Sequence, residues 1–112
     1  MRTKLDHLGN FELIVLLALI RLRADAYGVP ISQEIEERIG REVALSSVYA
    51  TLERLEEKGL VSSDLGEPTS ERGGRAKRYF RINGKGLRVV RETKRGLIKL
   101  WQGLPELRGE LT

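Results

Sequence analysis

The side chains best suited to chemistry in this chain are cations and hydroxyls, and they fall in two clusters. Arg72, Arg75, Lys77 and Arg78 place four positive charges within seven residues, interrupted by Gly73-Gly74. Glycines allow close backbone approach, and cations spaced this way suit the phosphates of a polyanion. Glu67 and Glu71 flank the cluster, and an unpartnered loop of this composition would simply be solvated. The second cluster is Ser46, Ser47, Tyr49, Ala50 and Thr51, with Arg54 further along. Small and hydroxyl-bearing side chains of this kind can reach base edges in a major groove. The alternative reading has the serines capping a helix and the tyrosine packing at its edge.

Catalysis finds little to work with. His7 is the single histidine and there is no cysteine, which removes Cys–His chemistry and thiolate-ligated zinc. Gly73-Gly74 lacks the Lys-Ser/Thr sequel of a phosphate-binding P-loop. No metal site and no cofactor is expected, and the chain reads as a non-enzyme. The absence of cysteine fits a reducing, cytoplasmic setting. The net charge is +4, but its distribution says more. Residues 1–28 carry 4 basic and 3 acidic groups, residues 29–59 carry 4 and 7, and residues 60–112 carry 12 and 6. A polyanion is therefore expected to be contacted mainly from the C-terminal half.

The elements that must position these residues follow from periodicity. Leu13–Ile20 is an unbroken apolar run within a helix expected from residue 8 or 9 to about 23. The run imitates a signal peptide, but Glu12 borders it and Arg21 and Arg23 follow it. At eight residues it falls far short of the ~18–20 needed to cross a membrane, so no membrane association is expected. A helix apolar on all sides needs cover on all sides. A chain of 112 residues has few elements to supply it, which points to a second copy. Next, Pro30 suits the first turn of a short helix striped by Ile31, Ile35 and Ile39 and closed by Gly40. A third helix is expected over 46–58, with Leu45, Val48, Leu52 and Leu55 buried and Gly59 ending it. Its opposite face carries Ser46, Ser47, Ala50, Glu53, Arg54 and Glu57, with Tyr49 and Thr51 on the flanks. The two glutamates favour entry into a groove by the helix tip, since they would repel a backbone lying alongside.

Residues 60–65 and 76–82 read as the strands of a hairpin with a long, glycine-rich tip. A helix-turn-helix followed by a hairpin is a winged-helix arrangement. Asn83 can cap a final helix over 84–103 whose heptad seam holds Leu87, Val90, Leu97, Trp101 and Leu104, broken at Lys94. The fold class expected is mainly α with a small β-hairpin. One domain spans 1–112, comprising a winged helix-turn-helix over 8–82 and a C-terminal dimerisation helix over 83–104. The homodimer interface is expected from Phe11, Leu13, Leu16, Leu17 and Ile20 against Leu87, Val90, Leu97, Trp101 and Leu104.

Three blocks carry a family resemblance. They are Tyr27-Gly28-x-x-Ile31, Ser47-x-Tyr49-x-x-Leu52-x-x-Leu55-x-x-x-Gly59-Leu60-Val61, and Gly73-Gly74-Arg75 ahead of Tyr79. Together they resemble the PadR-like transcriptional regulators, over about residues 8–104, and the short tail is similar to the smaller subgroup with a single C-terminal dimerisation helix. Ala50 and Asn83 depart from the pattern, standing where many relatives have proline and threonine. The resemblance implies a homodimeric repressor on a pseudo-palindromic operator in double-stranded DNA. It further implies a small planar or aromatic ligand stacked near Trp101 at the dimer centre. A winged-helix module that binds protein partners and never DNA is the rival reading, sustained by the acidic middle segment.

Overall fold

The computed structural model describes residues 7–67 and 76–108. Helix α1 (Asn10–Leu22) leads through a 3₁₀ turn (Arg23–Asp25) to α2 (Gly28–Ile39) and α3 (Leu45–Glu57). Strands β1 (Val61–Leu65) and β2 (Arg78–Ile82) form an antiparallel pair, and α4 (Gly84–Trp101) follows before a last 3₁₀ turn (Pro105–Leu107). The chain is a winged helix-turn-helix, mainly helical with one hairpin, as its periodicity anticipates.

Local chemistry explains the boundaries. Gly40 closes α2 in the left-handed conformation, at φ 66°. The end of α3 is a Schellman motif: the Gly59 amide (φ 77°) donates to the Glu56 carbonyl, and the Leu60 amide to that of Leu55. Leu55 and Leu60 are both fully buried, so the Gly-Leu-Val exit in the sequence is a cap with its apolar anchor. Asn83 caps α4 by accepting from the Gly86 amide at 2.8 Å, and its side-chain amide donates to the Gly59 carbonyl at 2.9 Å. One side chain thus ties the start of α4 to the end of α3. A β-carbon on Gly86 would collide with the Leu60 carbonyl, so the glycine is what lets α4 press against the base of the hairpin.

The core joins Val15, Leu16 and Leu19 of α1, Ile31 and Ile35 of α2, and Val48, Leu52 and Leu55 of α3 to Leu60, Phe80 and Val89. Among the described residues no buried polar side-chain atom lacks a hydrogen-bond partner. Two stripe residues fall outside this core. Ile39 is 54% exposed and Leu45 41%, because each sits at a helix end that overhangs the three-helix contact. Helix α4 buries just Gly86 and Val89, and beyond them it projects from the body. The radius of gyration, 15.9 Å, exceeds the ~13 Å of a compact chain this size. Among the described residues no helix is long and apolar enough to cross a membrane.

Candidate nucleic-acid interface

Helix α3 divides cleanly. Val48, Leu52 and Leu55 point into the core, while Ser46, Ser47, Ala50, Glu53, Arg54 and Glu57 are exposed and Tyr49 lies at the margin. Thr51 departs from the sequence expectation. It is 1% exposed, and its hydroxyl accepts from Arg54 at 3.1 Å, so it acts chiefly by holding the Arg54 side chain. Tyr49 packs its ring over Gly28 so closely that a β-carbon there would overlap the phenol. Two sequence blocks that look independent, Tyr27-Gly28 and Ser47-x-Tyr49, are therefore one packing unit.

Arg54 is half exposed, but it is tethered. Its Nε lies 3.7 Å from a carboxylate oxygen of Glu12 on α1. Glu12 is 6% exposed, accepts from Lys58 Nζ at 2.8 and 2.9 Å, and accepts from the Gly9 amide at 2.8 Å. Burial works against the charge, but the Lys58 and Gly9 hydrogen bonds and the nearby cations outweigh it and hold the carboxyl below its ordinary value. Sequence reading took Glu12 for the border of an apolar run. Its partner Lys58 lies 46 residues away, and no local pattern signals the pair.

Arg41 is a second residue that the sequence did not single out. It lies in the turn before α3, its guanidinium 5.3 Å from the Phe11 ring centroid. A groove of about 440 Å³ runs between Arg41 and Arg54, floored by Ser47 and Ala50. Two cations and a hydroxyl, with Glu42 beside Arg41, thus border the N-terminal half of α3, where helix N–H groups also favour an anion.

On the hairpin, Arg78 is exposed and donates to Ser63 Oγ at 2.9 Å, and Ser63 in turn donates to Glu56 of α3 at 2.9 Å. Arg81 pairs with Asp64 at 2.8 Å. Lys77 differs from expectation: it turns toward the body, its ammonium donating to the Tyr27 hydroxyl at 3.2 Å. Arg72 and Arg75 lie outside the described residues. Among the described residues no group of His, Cys, Asp and Glu is placed to hold a metal ion.

Comparison with known proteins decides the family. The model for the transcriptional regulator PadR-like family matches residues 16–92, most of the chain. The chain belongs to the PadR-like family of transcriptional regulators. Among solved structures, a PadR family regulator from Eggerthella lenta DSM 2243 is similar at 29% identity and TM-score 0.68, covering 87% of this chain and 82% of that one. A PadR-like transcription factor from Bacteroides fragilis shares 27% identity at TM-score 0.71, with 80% and 82% covered. The regulator TA0346 from Thermoplasma acidophilum, at 20% identity and TM-score 0.70 over 86% and 87%, shares the fold. Among curated proteins none matches the sequence. Membership makes the protein a DNA-binding transcriptional regulator.

The apolar surface of this PadR-like regulator differs in part from the sequence expectation. Leu16 is fully buried against its own chain and is not available to a partner. Leu17 is 44% exposed, and Leu13, Ile14 and Ile20 are half-buried beside it. Ile14, Leu17 and Ile20, together with Ile35 and Ile39, line an apolar groove of about 350 Å³, rimmed by the Arg21–Glu34–Arg38 ion pairs. Phe11 is half-buried under Arg41. On α4, Leu87 and Val90 are half-buried, while Leu97 is 46% and Leu100 77% exposed. Leu104 leaves the heptad seam, because α4 ends at Trp101 and the chain reverses at Gly103 (φ 81°). Trp101 is half-buried, its indole N–H donating to the Leu107 carbonyl at 3.1 Å in that reversal.

Proposed function

We propose that the protein is a sequence-specific repressor that binds a pseudo-palindromic operator as a homodimer. The observation that carries this reading is the exposed N-terminal half of α3. Ser46, Ser47 and Ala50 face outward there, with Tyr49 at the margin, beside a groove flanked by Arg41 and Arg54. In this reading Ser46, Ser47, Tyr49 and Ala50 touch base edges. Arg41, Arg54 and Arg78, with Arg72 and Arg75, take phosphates. Two copies pair through the outward faces of α1 and α4, with Leu17, Ile20, Leu97 and Leu100 at the contact. Leu97 and Leu100 stand exposed on a projecting helix that a single chain does not cover.

The pairing sets two recognition helices about one duplex turn apart. Trp101, near the end of the projecting helix, is the stacking platform for a planar ligand that relieves repression by shifting the two wings. The domain works as one unit, winged helix over 8–82 and dimerisation helix over 83–104, in the cytoplasm. Selection of bound duplexes from a random pool at two salt concentrations tests the reading. A symmetric motif with steep salt dependence supports it. Recovery of sequence-blind binding alone replaces it with the protein-interaction reading.

A further inference from the structure

We propose that Tyr27-Gly28 is the gauge that fixes the wing relative to the recognition helix, and that Lys77 serves this gauge as a positioning residue and not as a phosphate contact. The proposal rests on the DNA-binding reading above. It begins with the surroundings of Tyr27, at the corner between α1 and α2. Lys77 Nζ lies 4.4 Å from the centre of the Tyr27 ring and donates to its hydroxyl at 3.2 Å. An ammonium held over a phenol face and bonded to its oxygen is doubly engaged. Tyr79, on β2, meets the same ring edge-on with centroids 5.3 Å apart. Tyr79 in turn lies flush on Gly66, where a β-carbon would stand 2.7 Å from its ring.

Backbone bonds close the arrangement. The Gly66 amide donates to the Lys77 carbonyl at 2.7 Å, one step beyond the last strand pair, and the Phe80 amide donates to the Ala26 carbonyl at 2.8 Å. Strand β2 is therefore fastened directly to the residue beside Tyr27, and the β1 side follows through the Gly66–Lys77 bond. The next residue, Gly28, is the one covered by Tyr49 of α3. Two adjacent residues thus take the recognition helix on one side and the wing on the other. A shift at this corner moves both DNA-facing elements together. This gives a physical reason for a tyrosine–glycine pair at the start of a helix, where the Tyr27 side chain makes no capping hydrogen bond.

The test separates a clamp from a contact. Lys77→Met, Tyr27→Phe and Tyr27→Ala are each compared with the parent protein and with the double variant Tyr27→Ala/Lys77→Met. Without DNA, the Gly66 and Phe80 amides in Tyr27→Ala are expected to exchange with solvent about tenfold faster, the fold-change for losing roughly one such contact. On the selected duplex, Lys77→Met is expected to weaken binding about three- to tenfold with the salt slope unchanged. The double variant is expected to lose little more than Tyr27→Ala alone, and Tyr27→Phe to lose less. A salt slope shallower by about 0.9 in Lys77→Met overturns the assignment of Lys77, because that is the signature of one lost phosphate contact. Unchanged exchange at Gly66 and Phe80 overturns the clamp itself. Failure of the parent protein to bind any duplex sinks the repressor reading instead, while the exchange experiment still judges the clamp.

Discussion

Replacing Glu12 by Gln tests the account of how α1 and α3 are locked together. The substitution preserves shape, and the new side chain can still accept from the Gly9 amide. It removes the charge facing Lys58, which now makes two bonds of 2.8 and 2.9 Å to the carboxylate. Stripping one partner from a buried pair costs roughly 3–5 kcal/mol when the other charge has no escape. Here the Lys58 side chain is 22% exposed and can turn to water, so the cost falls to about 2 kcal/mol, in the range of a charge-assisted hydrogen bond. Spread over the unfolding entropy of a chain this long, that is a Tm lower by about 8 °C at neutral pH.

The sign of the pH dependence is fixed by the direction of the shift. The Glu12 carboxyl is held below its ordinary 4.5 in the folded chain. Its contribution is therefore fully present above that value and disappears as pH falls through the lower folded value. The gap in Tm between parent and Glu12→Gln, followed by circular dichroism from neutral to acid pH, should narrow below pH 4.5. Glu34, whose carboxyl is likewise held low by Arg38 and Arg21, is present in both proteins and cancels in the difference. A gap that stays constant across the acid range, or no gap at neutral pH, would refute the reasoning.

Gly28→Ala should destabilise the fold by about 2 kcal/mol through overpacking against Tyr49, and pairing it with Tyr49→Ala should restore much of the loss in a thermal melt. Leu16→Ala should cost about 3 kcal/mol of stability through an internal cavity, whatever the protein concentration. Leu97→Glu should leave the chain folded but shift sedimentation toward monomer, because that residue projects from α4. Asn83→Ala should cost about 1–2 kcal/mol in chemical denaturation, since the α4 cap and the bond to the Gly59 carbonyl go together. Arg54→Ala should weaken duplex binding and flatten the salt slope by about 0.9; an unchanged slope would remove Arg54 from the contact.

Much of the architecture was legible in the chain because it rests on short-range signals. Gly40 and Gly59 mark helix ends through backbone conformations that side-chain-bearing residues adopt at a cost, and Asn83 marks a start through its capping oxygen. Spacing in Val48, Leu52 and Leu55 found the buried face of α3. The same rule misjudged Leu45 and Ile39, because periodicity gives the face of a helix and not where along its length the neighbours end. It also counted Leu104 into a seam that the reversal at Gly103 cuts short.

The recognition surface was half legible for a related reason. Residue type nominated the α3 hydroxyls and the wing cations, and Ser46, Ser47 and Ala50 stand exposed in their expected places. Type could not tell a cation facing solvent from one already engaged. Arg78 is exposed, while Lys77 lies over a tyrosine 50 residues away in sequence. Thr51 and Leu16 were nominated for the surface and are buried, for each lies where α1 and α3 close on the rest of the core. Sequence by itself determined the helix order, the caps, the hairpin and the family, since these depend on neighbours within a few residues. The tertiary structure alone decided that Glu12 grips Lys58, that Tyr49 covers Gly28 and that Lys77 is held by Tyr27. Those contacts join residues far apart in the chain, and side-chain packing in three dimensions is what brings them within reach.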